Sequence, residues 1–185
     1  MGTELWQEAA SFAARVHQHQ TRRDGTTPYI AHPFRVAMTV RDIFGLDDPE
    51  ALAAALLHDA IEDTRTDYDD LKKEFGGSVA DLVAALTKNM SLPEARREPE
   101  YDRRLAEADW RARLVKLADV HDNLCDVGSL DERDREKKLR RAVAKCARAI
   151  ELARPDAGAH PETARAIAAV ERLMESHGGA SEPAR

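Results

Sequence analysis

Seven consecutive apolar residues, Ala51-Leu52-Ala53-Ala54-Ala55-Leu56-Leu57, run directly into His58-Asp59-Ala60-Ile61-Glu62-Asp63. The first segment reads as a helix buried on all sides, and the second loads its end with four ionisable side chains. On one continuous helix His58 and Glu62 lie a turn apart on one face, and Asp59 and Asp63 do the same on the neighbouring face. Buried charges cost several kcal/mol each unless a partner compensates them. A divalent metal ion is the simplest such partner.

Composition sets the surroundings of this cluster. Hydrophobic residues are 43% of the 185 and charged residues 34%, while aromatics are only 5%. Ala, Leu, Arg and Glu dominate, and these helix formers predict an all-α fold. The length suits one domain with a substantial core. No apolar stretch approaches the roughly 20 residues that cross a bilayer, so no membrane partner is expected. The N-terminus lacks a basic start followed by an apolar segment, hence no secretion signal, and Trp6 stands where myristoylation prefers Ser or Thr. A net charge of -6 argues against DNA or RNA as partner. It does not exclude a small anionic ligand, because a few arginines can dominate the field inside a cleft. Cys125 and Cys146 form no Cys-x-x-Cys pair and fall in helical patterns, where each reads as a small apolar residue. A reducing cytoplasm is the expected compartment. No interface signature sets the oligomeric state.

The periodicity predicts about eight helices in one domain over 1–177, with a disordered tail over 178–185. Leu5, Trp6, Ala9, Phe12, Ala13 and Val16 recur at helical spacing over 4–19, and Thr21 to Pro28 breaks the pattern as a loop. A second helix runs from His32 to about Phe44. A third, capped by Asp48 and carrying Pro49 at its first position, runs to about Asp63. Thr66 is expected to cap a fourth helix ending at Gly76-Gly77, and Ser78 a fifth running to Lys88. Residues 89–99 read as a mobile loop or lid and 100–107 as another helix. Leu114, Leu117, Ala118, His121 and Leu124 line one side of a helix over 109–127. A long helix over 131–152 carries Lys138, Arg141 and Lys145 on a basic face. Residues 155–160 link it to a last helix over 161–176.

Two further pieces suit the acidic cluster. His32 starts a helix in Ile30-Ala31-His32-Pro33, and Asp119, Asn123 and Asp126 form a polar stripe opposite the apolar side just named. His32, His58, Asp59 and Asp119 would make a mixed nitrogen and oxygen site, suited to manganese, iron, cobalt or zinc better than calcium. A metal there acts as Lewis acid and lowers the pKa of bound water. Glu62 and Asp63 are left over to orient or deprotonate that water. His17 and His19 read as the solvated end of a helix, and His121 as a hydrogen-bonded core histidine. Arg96-Arg97 and Arg103-Arg104 read as solvated charges.

Taken together, these motifs resemble the HD-domain metal-dependent phosphohydrolases. The carriers are His32 in its Ile-Ala-His-Pro setting, His58-Asp59 with Glu62-Asp63-Thr64, and Lys116-Leu117-Ala118-Asp119 with Asn123. Arg22-Arg23, Gly25, Pro28 and Tyr29, then Phe75-Gly76 and Leu86-Thr87-Lys88, narrow the likeness to the hydrolase domain of RelA/SpoT homologues. The likeness covers roughly residues 10–150, leaves no length for a synthetase or regulatory domain, and fits a stand-alone small alarmone hydrolase. It implies a single helical HD bundle and a Mn2+-dependent enzyme that removes the 3′-pyrophosphate of ppGpp and pppGpp, the alarmones of the stringent response. By the same resemblance His32, His58, Asp59 and Asp119 are metal ligands, and Glu62 and Asp63 position and activate water. Arg22 stacks on the base, Arg23 is the basic residue beside it, and Asn123 contacts the sugar. Departures from the family pattern are an extra residue in the basic loop at Thr26-Thr27, Val120-His121-Asp122 where many relatives carry Arg-Leu-His, and no tyrosine in the long helix. They keep ppApp, NADPH, another nucleotide or a catalytically weak nucleotide-binding regulator open as alternatives.

Overall fold

The computed structural model describes residues 4–129 and 132–178. Among these described residues are ten α-helices: α1 Leu5–Val16, α2 Ala31–Met38, α3 Pro49–Leu57, α4 Ala60–Asp63, α5 Tyr68–Phe75, α6 Gly77–Leu86, α7 Glu94–Glu107, α8 Trp110–Cys125, α9 Glu132–Ala153 and α10 Pro161–Gly178. Among the described residues there is no β-strand, only an antiparallel bridge between Thr21 and Pro28 that closes the basic loop. None of the helices is long and apolar enough to cross a membrane.

The apolar run is the centre of the molecule. Every residue from Ala51 to Leu57 is buried, and α3 packs against α1, α2, α6 and α8. The four alanines of α3 let those neighbours approach its backbone closely, which a wholly Leu or Phe helix would prevent. Helix α8 is the second axis of the bundle. It buries Leu114, Val115, Leu117, Ala118 and Leu124 and carries α9 and α10 on its far side. Metal-binding candidates therefore sit on the two most constrained helices, plus the start of α2, which packs on both.

Several boundaries differ from the sequence expectation. The expected helix over 48–63 breaks at His58-Asp59 and resumes as the single turn α4. The expected cap Thr66 yields to Asp67, whose carboxylate accepts the Asp70 N–H at 3.0 Å. The Thr66 hydroxyl is taken up by Thr64, 2.9 Å away. Ser78 caps nothing, because its hydroxyl donates to Glu50 at 2.6 Å, and α6 begins after Gly76 at φ 85, a conformation glycine adopts freely. The expected loop over 89–99 is half helix: α7 starts at Glu94 and continues through Pro99. Buried Tyr101 and Leu105 anchor it, and Arg104 donates to the carbonyls of Ala84 and Thr87, pinning α7 across the end of α6. Arg104 is thus a structural clamp, not a solvated charge. The expected linker over 155–160 contains a 3-10 turn tied down by a bidentate Arg113–Asp156 pair at 2.6 and 2.8 Å. Cys146 is buried as expected, but Cys125 is exposed. The expected start of the long helix at Asp131 and the tail over 179–185 lie outside the described residues, while Gly178 belongs to α10.

Candidate active site

The break at His58-Asp59 turns both side chains toward α2 and α8. There His58 Nε2 lies 2.9 Å from Asp59 Oδ2 and 3.8 Å from Asp119 Oδ1. His32 Nε2, from the first turn of α2, lies 3.6 Å from Asp59 Oδ2 and 3.3 Å from Asp119 Oδ1. Four donor atoms from three separate segments thus face one point. His32, His58 and Asp59 alone form a group able to hold a metal ion.

The ring nitrogens are sorted by their other contacts. His58 Nδ1 lies 2.8 Å from the Ala55 carbonyl, an acceptor only, so Nδ1 keeps its hydrogen and Nε2 is left to take up either a proton or a metal ion. That Nε2 is buried and makes no hydrogen bond among the described residues. A buried polar atom without a partner, aimed at two carboxylates and a second imidazole, fits a cation. His32 Nδ1 lies 2.6 Å from Asp122 Oδ2, which directs its Nε2 inward in the same way. Asp122 is itself gripped by Arg35 through Nε at 2.6 Å and Nη2 at 2.9 Å.

The electrostatics agree with the geometry. Burial opposes charge on His58, but Asp59 and Asp119 outweigh it and push its pKa up to about 9. Burial likewise opposes ionisation of Asp59, and the neighbouring His58 overcomes it, holding that carboxyl below the usual range. Asp119 is held well below the usual range: desolvation is outweighed by Lys116, whose ammonium donates to Oδ2 at 2.7 Å. Both carboxylates are anionic, as metal ligands must be.

The acidic pair separates in space. Glu62 lines the cleft, one carboxylate oxygen accepting the Lys88 backbone N–H at 2.9 Å. Asp63 turns the other way and lines a neighbouring surface cavity. Its link to the centre is the Tyr29 hydroxyl, 2.6 Å from Asp59 Oδ2 and 3.0 Å from Asp63 Oδ2. Burial, then Asp59, raises the Tyr29 pKa, so the phenol keeps its proton and acts as donor. His17, expected at a solvated helix end, is 3% exposed and packs against Tyr29 with ring centroids 4.8 Å apart and the rings tilted by 31°.

The basic loop completes the site. Asp24 Oδ1 accepts the N–H groups of Thr26 and Thr27 at 2.9 Å each, so the extra residue folds into an Asx turn with Gly25 at φ 72. Arg22 donates to Asp126 at 2.7 and 3.0 Å and to Asn123 Oδ1 at 3.2 Å, and lies over the Tyr29 ring. Asn123 in turn donates to Asp119 at 2.5 Å. Arg23 is exposed at the rim. The cleft has a volume of about 290 Å³ and is lined by five cations, Arg22, Arg23, Lys88, Lys116 and Lys145, against three carboxylates. It is locally positive in a chain of net charge -6. Sequence reasoning passed over Asp122, Arg35 and Lys88 as site residues. Only the spacing of Asp122 one turn after Asp119 pointed to it.

Comparisons with known proteins identify the family. The HD domain family model matches residues 9–150. The human guanosine-3′,5′-bis(diphosphate) 3′-pyrophosphohydrolase MESH1 is 43% identical over 130 residues, 69% of this chain and 73% of that protein. Its Danio rerio counterpart is 40% identical over 126 residues, covering 68% and 70%. A solved structure described as a metazoan orthologue of SpoT that hydrolyses ppGpp superposes with a TM-score of 0.79 at 27% identity, over 96% of this chain and 98% of the other. With a quartet of His and Asp donors held on a helical bundle of that shape, the chain belongs to the HD-domain family and groups there with the guanosine-3′,5′-bis(diphosphate) 3′-pyrophosphohydrolases.

Proposed function

We propose that this protein hydrolyses the 3′-pyrophosphate of ppGpp and pppGpp, yielding GDP or GTP and pyrophosphate, with Mn2+ as its metal. The observation that carries the reading is the meeting of His32 Nε2, His58 Nε2, Asp59 Oδ2 and Asp119 Oδ1 in a cation-lined cleft. These four side chains would hold the ion, and their mixed imidazole and carboxylate chemistry suits Mn2+. Once bound, a divalent ion supplies Lewis-acid polarisation of the phosphate and a more acidic water.

The chain's own residues account for the rest. A water oxygen bonds to the phosphorus attached to ribose O3′, the O3′–P bond breaks, and O3′ takes up a proton. Glu62 accepts the proton lost by the water, because it lines the cleft and the Lys88 N–H fixes only one of its oxygens. Asp63 works through Tyr29, which holds Asp59 in place. Arg22 offers a flat guanidinium face to the base, and Asn123 an amide to the sugar. Arg23 and the three lysines neutralise phosphate charge.

The test is direct. Protein stripped of metal and resupplied with Mn2+ is incubated with ppGpp, and products are resolved by chromatography. GDP and pyrophosphate are expected in equal amounts. No pyrophosphate release at high enzyme concentration overturns the reading.

A further inference from the structure

Among the described residues, helix α1 gives no side chain to the lining of the cleft, yet its C-cap residue, His17, is tied to the centre. His17 is buried, and its Nδ1 lies 2.7 Å from Gln20 Oε1. The Gln20 amide nitrogen donates to the Asp63 carbonyl at 2.8 Å, so Oε1 is the end left for His17 and Nδ1 is the donor. One amide thus joins His17 to the backbone of Asp63. The His17 ring also packs on Tyr29, whose hydroxyl lies 3.0 Å from Asp63 Oδ2 and 2.6 Å from Asp59 Oδ2. A phenol has a single hydrogen to share between those two carboxylates, so the attitude of the ring decides how it is divided. At the other end of Tyr29, its N–H donates to the Gln20 carbonyl at 2.9 Å. His17 Nε2 is buried and makes no hydrogen bond among the described residues. As a mere filler of space, then, an imidazole is inferior to an apolar ring of similar shape, which strands no nitrogen.

We infer that His17 is a positioning residue for the acidic side of the centre: it holds the Asp63 backbone through Gln20, and the Asp63 and Asp59 carboxylates through Tyr29. Its effect on rate rests on the proposed reaction, whereas its effect on the metal site does not. Asp63 ends α4, a helix of four residues, which is too short to hold a direction by its own hydrogen bonds. Anchors from outside the turn must fix it, and His17 supplies one to its backbone and one to its side chain. The two arms differ in reach. The ring arm touches both carboxylates, while the amide arm ends at Asp63. Because His17 lines no part of the cleft, its loss should act on the rate and not on substrate binding.

Three substitutions in the full-length protein separate the arms. His17→Phe keeps a ring against Tyr29 and removes the Nδ1 donor. His17→Asn keeps an N–H for Gln20 and removes the ring. Gln20→Met, at a half-buried position, cuts the amide arm without altering the core. At saturating Mn2+ each should lower kcat for ppGpp on the order of tenfold, with KM within about twofold of wild type. Calorimetric titration of metal-free protein should show Mn2+ affinity reduced on the order of tenfold in His17→Asn and in Tyr29→Phe, and unchanged in Gln20→Met. Added to Tyr29→Phe, His17→Asn should bring no further loss, whereas Gln20→Met should keep its full effect. Nitrogen-15 spectra of the histidines should place the His17 hydrogen on Nδ1. Wild-type kcat in Gln20→Met, losses confined to KM, full additivity of His17→Asn with Tyr29→Phe, or a hydrogen on Nε2 would each overturn the inference. If ppGpp is not hydrolysed at all while His17→Asn weakens Mn2+ as much as Tyr29→Phe does, the positioning role stands and the proposed reaction falls.

Discussion

His32 Nδ1 and Asp122 Oδ2 lie 2.6 Å apart, and this contact selects which nitrogen of His32 faces the cleft. Asp122 is buried and its two oxygens are both engaged by Arg35. The carboxylate can therefore neither rotate away nor release the imidazole without unmaking an ion pair. Asp126 extends the arrangement, since Arg35 reaches it at 3.0 Å and Arg22 at 2.7 Å. The histidine of the candidate metal centre and the arginine proposed to meet the base thus share one polar network.

Asp122→Asn should lower divalent-metal affinity on the order of ten- to a hundredfold, the usual effect of losing a group that orients a ligating histidine. Titration of metal-free protein with Mn2+ followed by calorimetry measures it. Circular dichroism should be unchanged. Affinity equal to wild type would show that His32 is held by packing alone.

Metal should stabilise the fold. At a hundred times its Kd a ligand bound only by the native state contributes about 2.7 kcal/mol. Addition of Mn2+ should raise Tm by several degrees in wild type and not in His58→Ala or Asp119→Asn, as read by differential scanning fluorimetry. An equal rise in either variant would remove that residue from the ligand set.

Stability against pH should differ between the metal-free and metal-loaded forms. The His58 pKa is raised from 6.5 to about 9 in the fold. Its protonated form therefore stabilises the metal-free protein fully below about pH 6.5, and that contribution, of order 3 kcal/mol, is lost as pH climbs through about 9. A bound cation replaces the proton, so the loaded protein should gain relative to the metal-free one over the same window. Thermal melts from pH 6 to 10 with and without Mn2+ test this. Parallel curves would refute it.

Glu62→Gln should reduce kcat about a hundredfold or more while leaving Mn2+ affinity intact, because the carboxylate is the proposed proton acceptor and not a ligand. Asp63→Asn should have a smaller effect, carried through Tyr29. Rates under saturating substrate and a metal titration separate the two. A larger loss at Asp63 than at Glu62 would reverse their roles.

Arg113→Ala should destabilise by roughly 3 kcal/mol without touching the cleft, because it strands Asp156 and the three carbonyls of Leu105, Ala106 and Ala108. Urea denaturation gives the value. A change below about 0.5 kcal/mol would mean that water replaces the guanidinium, as at an ordinary surface position.

Helical class, the buried character of Ala51–Leu57 and the His58-Asp59-Glu62-Asp63 cluster were legible in the residues as local patterns, while the joining of His32 and Asp119 to that cluster came from ligand chemistry and the family resemblance. Loop 89–99 was not legible: two prolines and several charges read as a mobile loop or lid, whereas Tyr101 and Leu105 find a core only when α6 and α8 lie beneath them. His17 misled in the same way, being polar in sequence yet covered by Tyr29.

By itself the sequence determined the chemistry on offer: which side chains can ligate, accept a proton or meet a phosphate, and that their helices have an apolar face to bury. Tertiary structure decided the division of labour. It broke the helix at His58-Asp59, turned Glu62 into the cleft and Asp63 behind Tyr29, and paired His32 with Asp122. These outcomes depend on contacts between residues 26 to 90 positions apart, and no helical or strand period reports such distances.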